Sequence, residues 1–390
     1  MKLVSILESK QPNGVKRLTG LVEYANQATE EYWFEIPENY TFSTSGNPWL
    51  AILLPLAASI GENLAIPLPV DRQLLLGANS ILRLWHHWRP QMHIIAVDAQ
   101  VLDVAVPPAR DTASFFSAGV DSTFTVLRRP DVKNWITVQG FDMPVGRTDD
   151  FRKHCARLSR MATDNGASFI PVATNIRETR WKEGHWELIS HGPALAAVAL
   201  MFEEHFHEVL IPASYDYTCL DPWGSHPLAD PLFSTDRTKI IHEGTAYTRT
   251  EKIQYLTTSE RALSELHVCY RGSDALGQDH TNCGRCEKCF RTMIALDIFG
   301  KLDQAKMFDR ATFDISRISK IYVSHALDEK FFINLERTAI KHGRLDIAVQ
   351  IGKCMRTSKR IKKLEIFSKV PLAWRAAQSL TKYLLRDSPR

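Results

Sequence analysis

The chain has 390 residues, of which 44% are hydrophobic and 24% are charged, and these values are typical of a globular protein with two or three domains. Its formal net charge of +4 is too small to indicate a nucleic-acid-binding protein by itself. The most apolar stretch, residues 49–60, is too short to span a bilayer, and residues 1–10 lack the apolar core of a signal peptide. We therefore expect a cytoplasmic protein with no membrane partner.

Residues 1–108 predict a small N-terminal α+β module, to which we assign no chemistry. The predicted elements are a strand at 32–36, helices at 49–60 and 70–88, and strands at 93–97 and 101–106. Pro107 and Pro108 end the module.

A strand, a tight turn and a helix follow in the segment Ser117-Ala118-Gly119-Val120-Asp121-Ser122-Thr123 and its flanks. Such a turn directs backbone N–H groups and a helix N-terminus at one point, which favours an anion. Gly119 permits close approach of the anion, and the hydroxyls of Ser117, Ser122 and Thr123 can donate to phosphate oxygens. Asp121 would repel phosphate unless it holds Mg²⁺ or caps the helix. The alternative is a Ser-capped helix without a ligand.

Strands and helices alternate after this turn, which predicts a parallel sheet with helices on both faces. The predicted elements are strands at 135–141, 168–173 and 208–212 and helices at 149–164 and 190–206. Ligands of such sheets bind at the carboxyl ends of the strands. Asp142 follows one of these ends and could hydrogen-bond the ribose or adenine of a nucleotide, although an ordinary turn also explains it.

A long polar loop at residues 211–252 contains several aromatic side chains, which suit either a flat substrate or packing of the loop itself. Its candidate substrate residues are Tyr215, Asp216 and Asp221, together with His191 from the preceding helix. Arg249 and Lys252 follow at a predicted helix start, where two cations could offset the charge of a polyphosphate. An ordinary solvated basic face is the alternative.

Four of the seven cysteines cluster in one segment, which indicates a metal site and not a disulfide framework. They are Cys269, Cys283, Cys286 and Cys289. Four thiolates at this spacing match the closed tetrahedral set that structural Zn²⁺ prefers. An iron–sulfur cluster is the main alternative.

Together these motifs resemble the PP-loop ATP pyrophosphatase superfamily and, within it, the 7-cyano-7-deazaguanine synthase family. Ala118 replaces a glycine that this family usually carries. The resemblance covers about residues 112–300, and implies a HUP-like adenine-nucleotide-binding fold. It also implies that Ser117, Gly119, Asp121 and Ser122 hold pyrophosphate and Mg²⁺, that Lys252 contacts phosphate, and that the cysteines hold structural Zn²⁺.

Three regions are expected: the module at 1–108, a PP-loop domain at 109–300 with its zinc module at 269–289, and a helical basic region at 301–390. The tail predicts helices at 328–342, 345–356, 358–367 and 372–385. A basic run at 353–363 suits a nucleic acid or an acidic partner, but we favour a solvated helical face over a nucleic-acid partner, because aromatic residues for base stacking are sparse there.

The resemblance implies an ATP-dependent C–N ligase, with ATP, Mg²⁺ and Zn²⁺ as cofactors. The substrates are a small carboxylate, 7-carboxy-7-deazaguanine or similar, and ammonia or an amine, and the products include AMP and pyrophosphate. A protein acceptor and a homodimer are left open. The catalytic candidates are Asp121 and Lys252, and residues 117–119, 121–123, Asp142 and Arg249 are expected to bind the nucleotide. Alternatives are amidation of another carboxylate in a biosynthetic or defence cluster, tRNA thiolation, or nucleotide binding without catalysis.

Overall fold

The computed structural model describes residues 1–102, 110–269, 282–324 and 326–368. The chain forms two compact units. The first contains Met1–Ser117, Thr125–Ser214 and Pro222–Thr245. The second contains Ala118–Phe124, Tyr215–Asp221 and the described part of Ala246–Arg390. None of the helices within the described ranges is both long and apolar enough to cross a bilayer.

The first unit is built on one sheet, which has ten strands among the described residues. The strands are β1 (Lys2–Gln11), β2 (Val15–Glu23), β3 (Thr29–Pro37), β4 (Leu64–Asp71), β5 (Val97–Leu102), β6 (Asp111–Phe115), β7 (Asn134–Gln139), β8 (Ser168–Thr174), β9 (Phe206–Pro212) and β10 (Lys239–Glu243). Their order across the sheet is β10-β9-β6-β7-β8-β3-β2-β1-β4-β5. Most neighbours are parallel, so the predicted α/β class is confirmed.

The parallel part of the sheet runs from β10 to β8, and it contains all the strands that were expected around the turn at Ser117. β6 lies between β9 and β7, with Ala113 opposite Val209 on one side and Asn134 on the other. Strands buried on both faces carry near-continuous apolar runs, which is why the sequence pattern identified them.

The N-terminal strands belong to the same sheet, because β3 pairs antiparallel with β8. Phe34 lies opposite Thr174, and Glu35 lies opposite Ala173. The predicted strand at 32–36 is therefore confirmed, but β1, β2 and β4 were not predicted. The strand expected at 93–97 is wrong except for Val97, whereas the described residues of the strand expected at 101–106 do form a strand, as the end of β5 (Val97–Leu102). Residues 103–109 lie outside the described ranges.

The first unit also contains helices α1 (Asn47–Ile60), α2 (Arg72–Trp88), α4 (Thr148–Asp164) and α5 (His191–Met201). α1 is buried along nearly its whole length, which confirms the predicted buried helix. α2 begins at Arg72 because the Asp71 carboxylate accepts hydrogen bonds from the backbone N–H groups of Gln73 and Leu74. α5 ends at Met201, earlier than predicted, since Phe206 already begins β9.

A buried carboxylate, Glu203, joins the N-terminal segment to the end of α5. Its oxygens accept hydrogen bonds from Ser43, from Ser45 at 2.6 Å and from Asn47 Nδ2 at 2.9 Å. The Asn47 amide oxygen in turn accepts from the Asp71 N–H at 2.8 Å. Each of these polar side chains is buried and each is hydrogen-bonded, as a stable interior requires.

The second unit is helical. Its helices are α6 (Arg249–Leu256), α7 (Glu260–Ser264), α8 (Glu287–Ile298), α9 (Ala326–Lys341) and α10 (Leu345–Ser368), and the first residues of α3 (Val120–Arg128) also belong to it. α9 confirms the helix expected at 328–342. The two helices expected at 345–356 and 358–367 form the single helix α10, because Thr357 and Ser358 do not interrupt it. The predicted helix at 372–385 lies outside the described residues.

Gly77→Ala tests how α2 is placed in the first unit. A Cβ atom at Gly77 would overlap the backbone carbonyl of Leu232, next to the turn that carries Asp230. Alanine normally stabilises a helix by about 1 kcal/mol relative to glycine, but this overlap should reverse the sign and destabilise by about 1–3 kcal/mol. Thermal unfolding measures the change. Gly146→Ala, which meets open space, is the control, and equal effects of the two variants would contradict the close approach.

Candidate functional site

The loop between β6 and α3 carries an unusual backbone conformation at Ala118. Its φ angle is +57°, in the left-handed region that residues other than glycine rarely adopt. The Ala118 carbonyl accepts a hydrogen bond from the His267 N–H at 2.9 Å, and the Gly119 carbonyl accepts one from the Thr123 N–H at 3.0 Å. Strain of this kind persists where the surroundings fix the backbone, and it is common at binding sites.

Asp121 lies in the first turn of α3 and is held by two cations from α6. Arg249 donates to Asp121 Oδ2 at 2.8 Å, and Lys252 Nζ donates to Oδ1 at 3.3 Å. The start of α6 is fixed by a capping box between Thr248 and Glu251, so the two cations occupy defined positions. The structure thus brings together the two predicted catalytic residues and one predicted phosphate ligand.

Burial and charge act in opposite directions on this group. Burial alone would raise the pKa of Asp121, but the positive charges of Arg249 and Lys252 outweigh it and lower the pKa below its usual range. The Lys252 side chain is only 1% exposed, and burial lowers its pKa although Asp121 opposes the shift. Asp121 is therefore an ionised carboxylate that stabilises a buried ammonium group.

Three cations act on Asp121. Lys288 adds its field to those of Arg249 and Lys252. The buried Nε atom of Arg249 has no hydrogen-bond partner among the described residues. Nearby Arg291 is also buried, but Glu287 and Asp328 neutralise it, at 2.8 and 3.3 Å. We call Asp121, Arg249, Lys252 and Lys288 the cation group, and its three cations with the unpaired Arg249 Nε–H suit an anionic ligand.

The segment 215–221 packs within the second unit against α9. The Tyr215 ring stacks on Phe331 with 5.6 Å between ring centroids, while the Arg291 guanidinium lies 4.2 Å from the same ring. Lys330 donates to the Thr218 carbonyl at 2.8 Å and contacts Asp221 at 3.3 Å. The sequence left substrate binding and packing of the loop as alternatives for Tyr215 and Asp221. Their contacts with α9 are packing contacts within the second unit.

Asp216 makes local contacts within this segment. Its carboxylate accepts hydrogen bonds from the Thr218 N–H at 2.8 Å and from the Thr218 hydroxyl at 2.5 Å. The side chain is buried, and its negative charge acts on Lys252. It therefore shapes the turn and adds to the field at the cation group.

Asp142 and His191 both belong to the first unit. Asp142 is exposed in the turn after β7. His191 begins α5, and its Nδ1 lies 3.1 Å from the Trp186 carbonyl, which can only accept, so Nδ1 carries the proton. Burial lowers the pKa of His191, and the imidazole is neutral at pH 7 with Nε2 as its acceptor nitrogen.

A buried polar cluster around Asp230 in the first unit was not identified from sequence as a site. The Asp230 carboxylate accepts hydrogen bonds from the Ser225 hydroxyl at 2.6 Å and from the His226 N–H at 3.2 Å, and it pairs with His242 Nδ1 at 2.7 Å. Ser225 and His242 contact the same carboxylate oxygen. The histidine therefore does not bridge the hydroxyl and the acid as a nucleophilic triad requires.

The four clustered cysteines converge, as their spacing predicted. All four are buried, and their sulfur atoms lie within 4.8 Å of one another. Cys269 and Cys286 are 4.0 Å apart, and Cys283 and Cys289 are 3.8 Å apart. Four thiolates this close require a cation to offset their charge.

The surrounding backbone fixes this cysteine group. The Asn282 side-chain oxygen accepts hydrogen bonds from the N–H groups of Val268 and Cys269, at 2.8 and 3.1 Å. Gly284 adopts φ +61°, and a Cβ atom there would overlap Thr312 Oγ1. Cys286 Sγ caps α8 by accepting from the Cys289 N–H at 3.5 Å.

Comparison with protein-family models, with curated proteins and with solved structures finds no match to this chain. Its function has therefore to be inferred from its own residues and their geometry.

Asp230→Asn tests the buried cluster in the first unit. The change removes the charge that accepts three hydrogen bonds from buried groups, so the free energy of unfolding should fall by about 3 kcal/mol. Chemical denaturation of both forms measures it. Asp98→Asn, on the exposed face of β5, is the control and should change stability by less than about 0.5 kcal/mol. Equal stability of Asp230→Asn and the parent would show that the cluster contributes nothing.

Proposed function

We propose that the protein is an ATP-dependent ligase of the PP-loop type, which adenylates a small carboxylate and joins it to ammonia or an amine. The observation that carries the proposal is the cation group at the start of α3. Three cations surround one carboxylate beside backbone N–H groups, and this combination is complementary to a polyphosphate. The left-handed φ at Ala118 supports the resemblance, because the family usually has glycine there.

Each predicted residue then has a role. The backbone N–H groups of residues 119–122 and the hydroxyls of Ser117, Ser122 and Thr123 would contact phosphate oxygens. Arg249 and Lys252 would neutralise the leaving pyrophosphate. Asp121 is the carboxylate that fits the Mg²⁺ carried by ATP, and its lowered pKa keeps it ionised for that purpose.

The reaction follows from this charge distribution. A substrate carboxylate oxygen attacks the α-phosphorus of ATP, the bond to the β-phosphate oxygen breaks, and pyrophosphate leaves. The nitrogen nucleophile then attacks the acyl carbon, loses a proton and expels AMP. Fixed cations stabilise the negative charge that develops on the leaving pyrophosphate. By resemblance the carboxylate is 7-carboxy-7-deazaguanine or a close relative, and Asp142 and His191 remain candidates for binding nucleotide or acceptor.

The cysteine group is proposed to hold one structural Zn²⁺. Ligands about 2.3 Å from a tetrahedral zinc are about 3.8 Å from one another, close to the sulfur distances of 3.8 and 4.0 Å. An iron–sulfur cluster places several iron atoms between its cysteines and would hold them farther apart. Four protein ligands leave no position for water, so the proposed role is structural.

The thiolation alternative requires a reactive cysteine. Burial raises the pKa of Cys155 to about 12 and also raises the pKa of Cys219, so both are protonated thiols at neutral pH. This favours C–N bond formation over sulfur transfer.

The proposed reaction predicts AMP and pyrophosphate as products of ATP when a matched carboxylate and ammonium are present. Lys252→Met removes a buried cation from the cation group, so turnover should fall by at least about 100-fold. Product analysis by chromatography measures it, with Lys182→Met, an exposed lysine, as the control. Circular dichroism would show that both variants fold. ADP and phosphate as products, or full activity in Lys252→Met, would contradict the proposal.

The zinc proposal predicts about one zinc per chain by elemental analysis of colourless protein. Cys286→Ser should lose most of this metal and lower the unfolding temperature by on the order of 10 °C, because metal binding contributes directly to folding. Cys155→Ser, outside the cysteine group, is the control and should keep both the zinc content and the unfolding temperature of the parent. Brown protein with iron and labile sulfide would overturn the assignment.

A further inference from the structure

The exposed face of α10 carries a row of cations. Lys353, Arg356, Arg360 and Lys363 follow one another at intervals of three, four and three residues, which places them on one face of the helix. Lys359 lies three residues after Arg356, at the margin of this face. At 1.5 Å per residue the row is about 15 Å long. We call these five residues the basic stripe, and all five are exposed.

The cations of the basic stripe are exposed to solvent. Among the described residues, no carboxylate forms an ion pair with any of its members. Other cations of this region differ, because Lys362 pairs with Glu329, and Arg344 pairs with Asp346 at 2.9 Å. Five unpaired cations on one helix face create a local positive potential that the small net charge of the chain does not reveal.

The opposite face of α10 is part of the hydrophobic core of the second unit. Its buried residues there are Ile347, Ala348, Ile351, Cys354 and Met355. A helix that binds a membrane surface has to insert its apolar face among the lipids, and in α10 that face is already packed. The stripe is therefore available for a charge–charge contact with a polyanion.

The polyanion that fits best is one with regularly repeated charges. Successive cations of the row are separated along the axis by about 4.5–6 Å, the rise of three or four helical residues. The phosphates of one nucleic acid strand follow one another at a fixed axial interval of about 3.4 Å, so each cation of the row lies within reach of one, whereas the acids of a protein partner follow no fixed repeat. We propose that the basic stripe of α10 binds the phosphate backbone of a nucleic acid.

This contact should not distinguish one nucleotide sequence from another. The outward apolar side chains described on α10 are the aliphatic Leu345, Val349 and Leu364, which offer no ring on which a base could stack. Affinity should therefore arise from phosphate neutralisation and fall steeply with salt. The stripe shares no residue with the cation group at Asp121, so this proposal stands or fails independently of the proposed ATP chemistry.

The test is the binding of the full chain to a labelled DNA duplex of about 24 base pairs, followed by fluorescence anisotropy between about 50 and 200 mM salt. The variant Lys353→Gln/Arg356→Gln/Arg360→Gln/Lys363→Gln removes the row. Its affinity at the lowest salt should fall by at least about 100-fold, and the slope of log K against log salt should become shallower by about three to four, at roughly 0.9 per phosphate contact.

The matched control removes four exposed cations elsewhere, in Lys10→Gln/Lys133→Gln/Arg160→Gln/Lys182→Gln, and changes the net charge equally. It should bind the duplex within about threefold of the parent. Arg356→Lys/Arg360→Lys keeps the charges and should keep binding, and circular dichroism compares the folding of all forms. An equal loss of affinity in the control would show that net charge, and not the basic stripe, determines binding, and would overturn the proposal. Competition by polyglutamate as effective as that by unlabelled duplex would also overturn it, in favour of an acidic protein partner.

Discussion

The ion pair between Asp121 and the buried ammonium group of Lys252 is the interaction on which the candidate chemistry of the second unit depends. A buried charge without a partner is destabilising by several kcal/mol, so the two residues fix the start of α3 relative to α6. The capping box at Thr248 fixes Arg249 beside them. Three cations act on this carboxylate, and the buried Arg249 Nε–H, which has no acceptor among the described residues, can donate to an anionic ligand.

The parts of the molecule that sequence predicted are those in which local pattern determines structure. Apolar runs of the right length identified β6 to β9, and alternation with helices indicated their parallel pairing. The interval of three residues between Cys283, Cys286 and Cys289 was enough to predict their convergence, because a turn with Gly284 and a helix start bring such residues to one side. Arg249 and Lys252 were expected at the same phosphate site as Asp121, Lys252 also through the resemblance, but their direct contact with the Asp121 carboxylate was not predicted.

The parts that sequence missed depend on contacts distant in the chain. β1 buries Leu3 but is otherwise mostly exposed and carries no clear alternation, so nothing local distinguished it as a strand. The pairing of β3 with β8 joins segments that no periodicity connects. The Asp230 cluster forms only when Ser225 and His242 meet across a turn. The packing role of Tyr215 depends on its contact with Phe331 of α9, which is more than 100 residues away in the chain. Polar clusters of this kind have no signature in a single sequence.

The position of β6 in the middle of the sheet has a consequence for how the chain folds during synthesis. β7 and β8 leave the ribosome soon after β6, and β3 is already available to pair with β8. β9, however, is made only after α5, so until then β6 has one open edge lined by buried residues. An open apolar edge is a template for pairing with other chains. We expect the nascent protein to be most prone to pairing with other chains while residues 175–212 are being made.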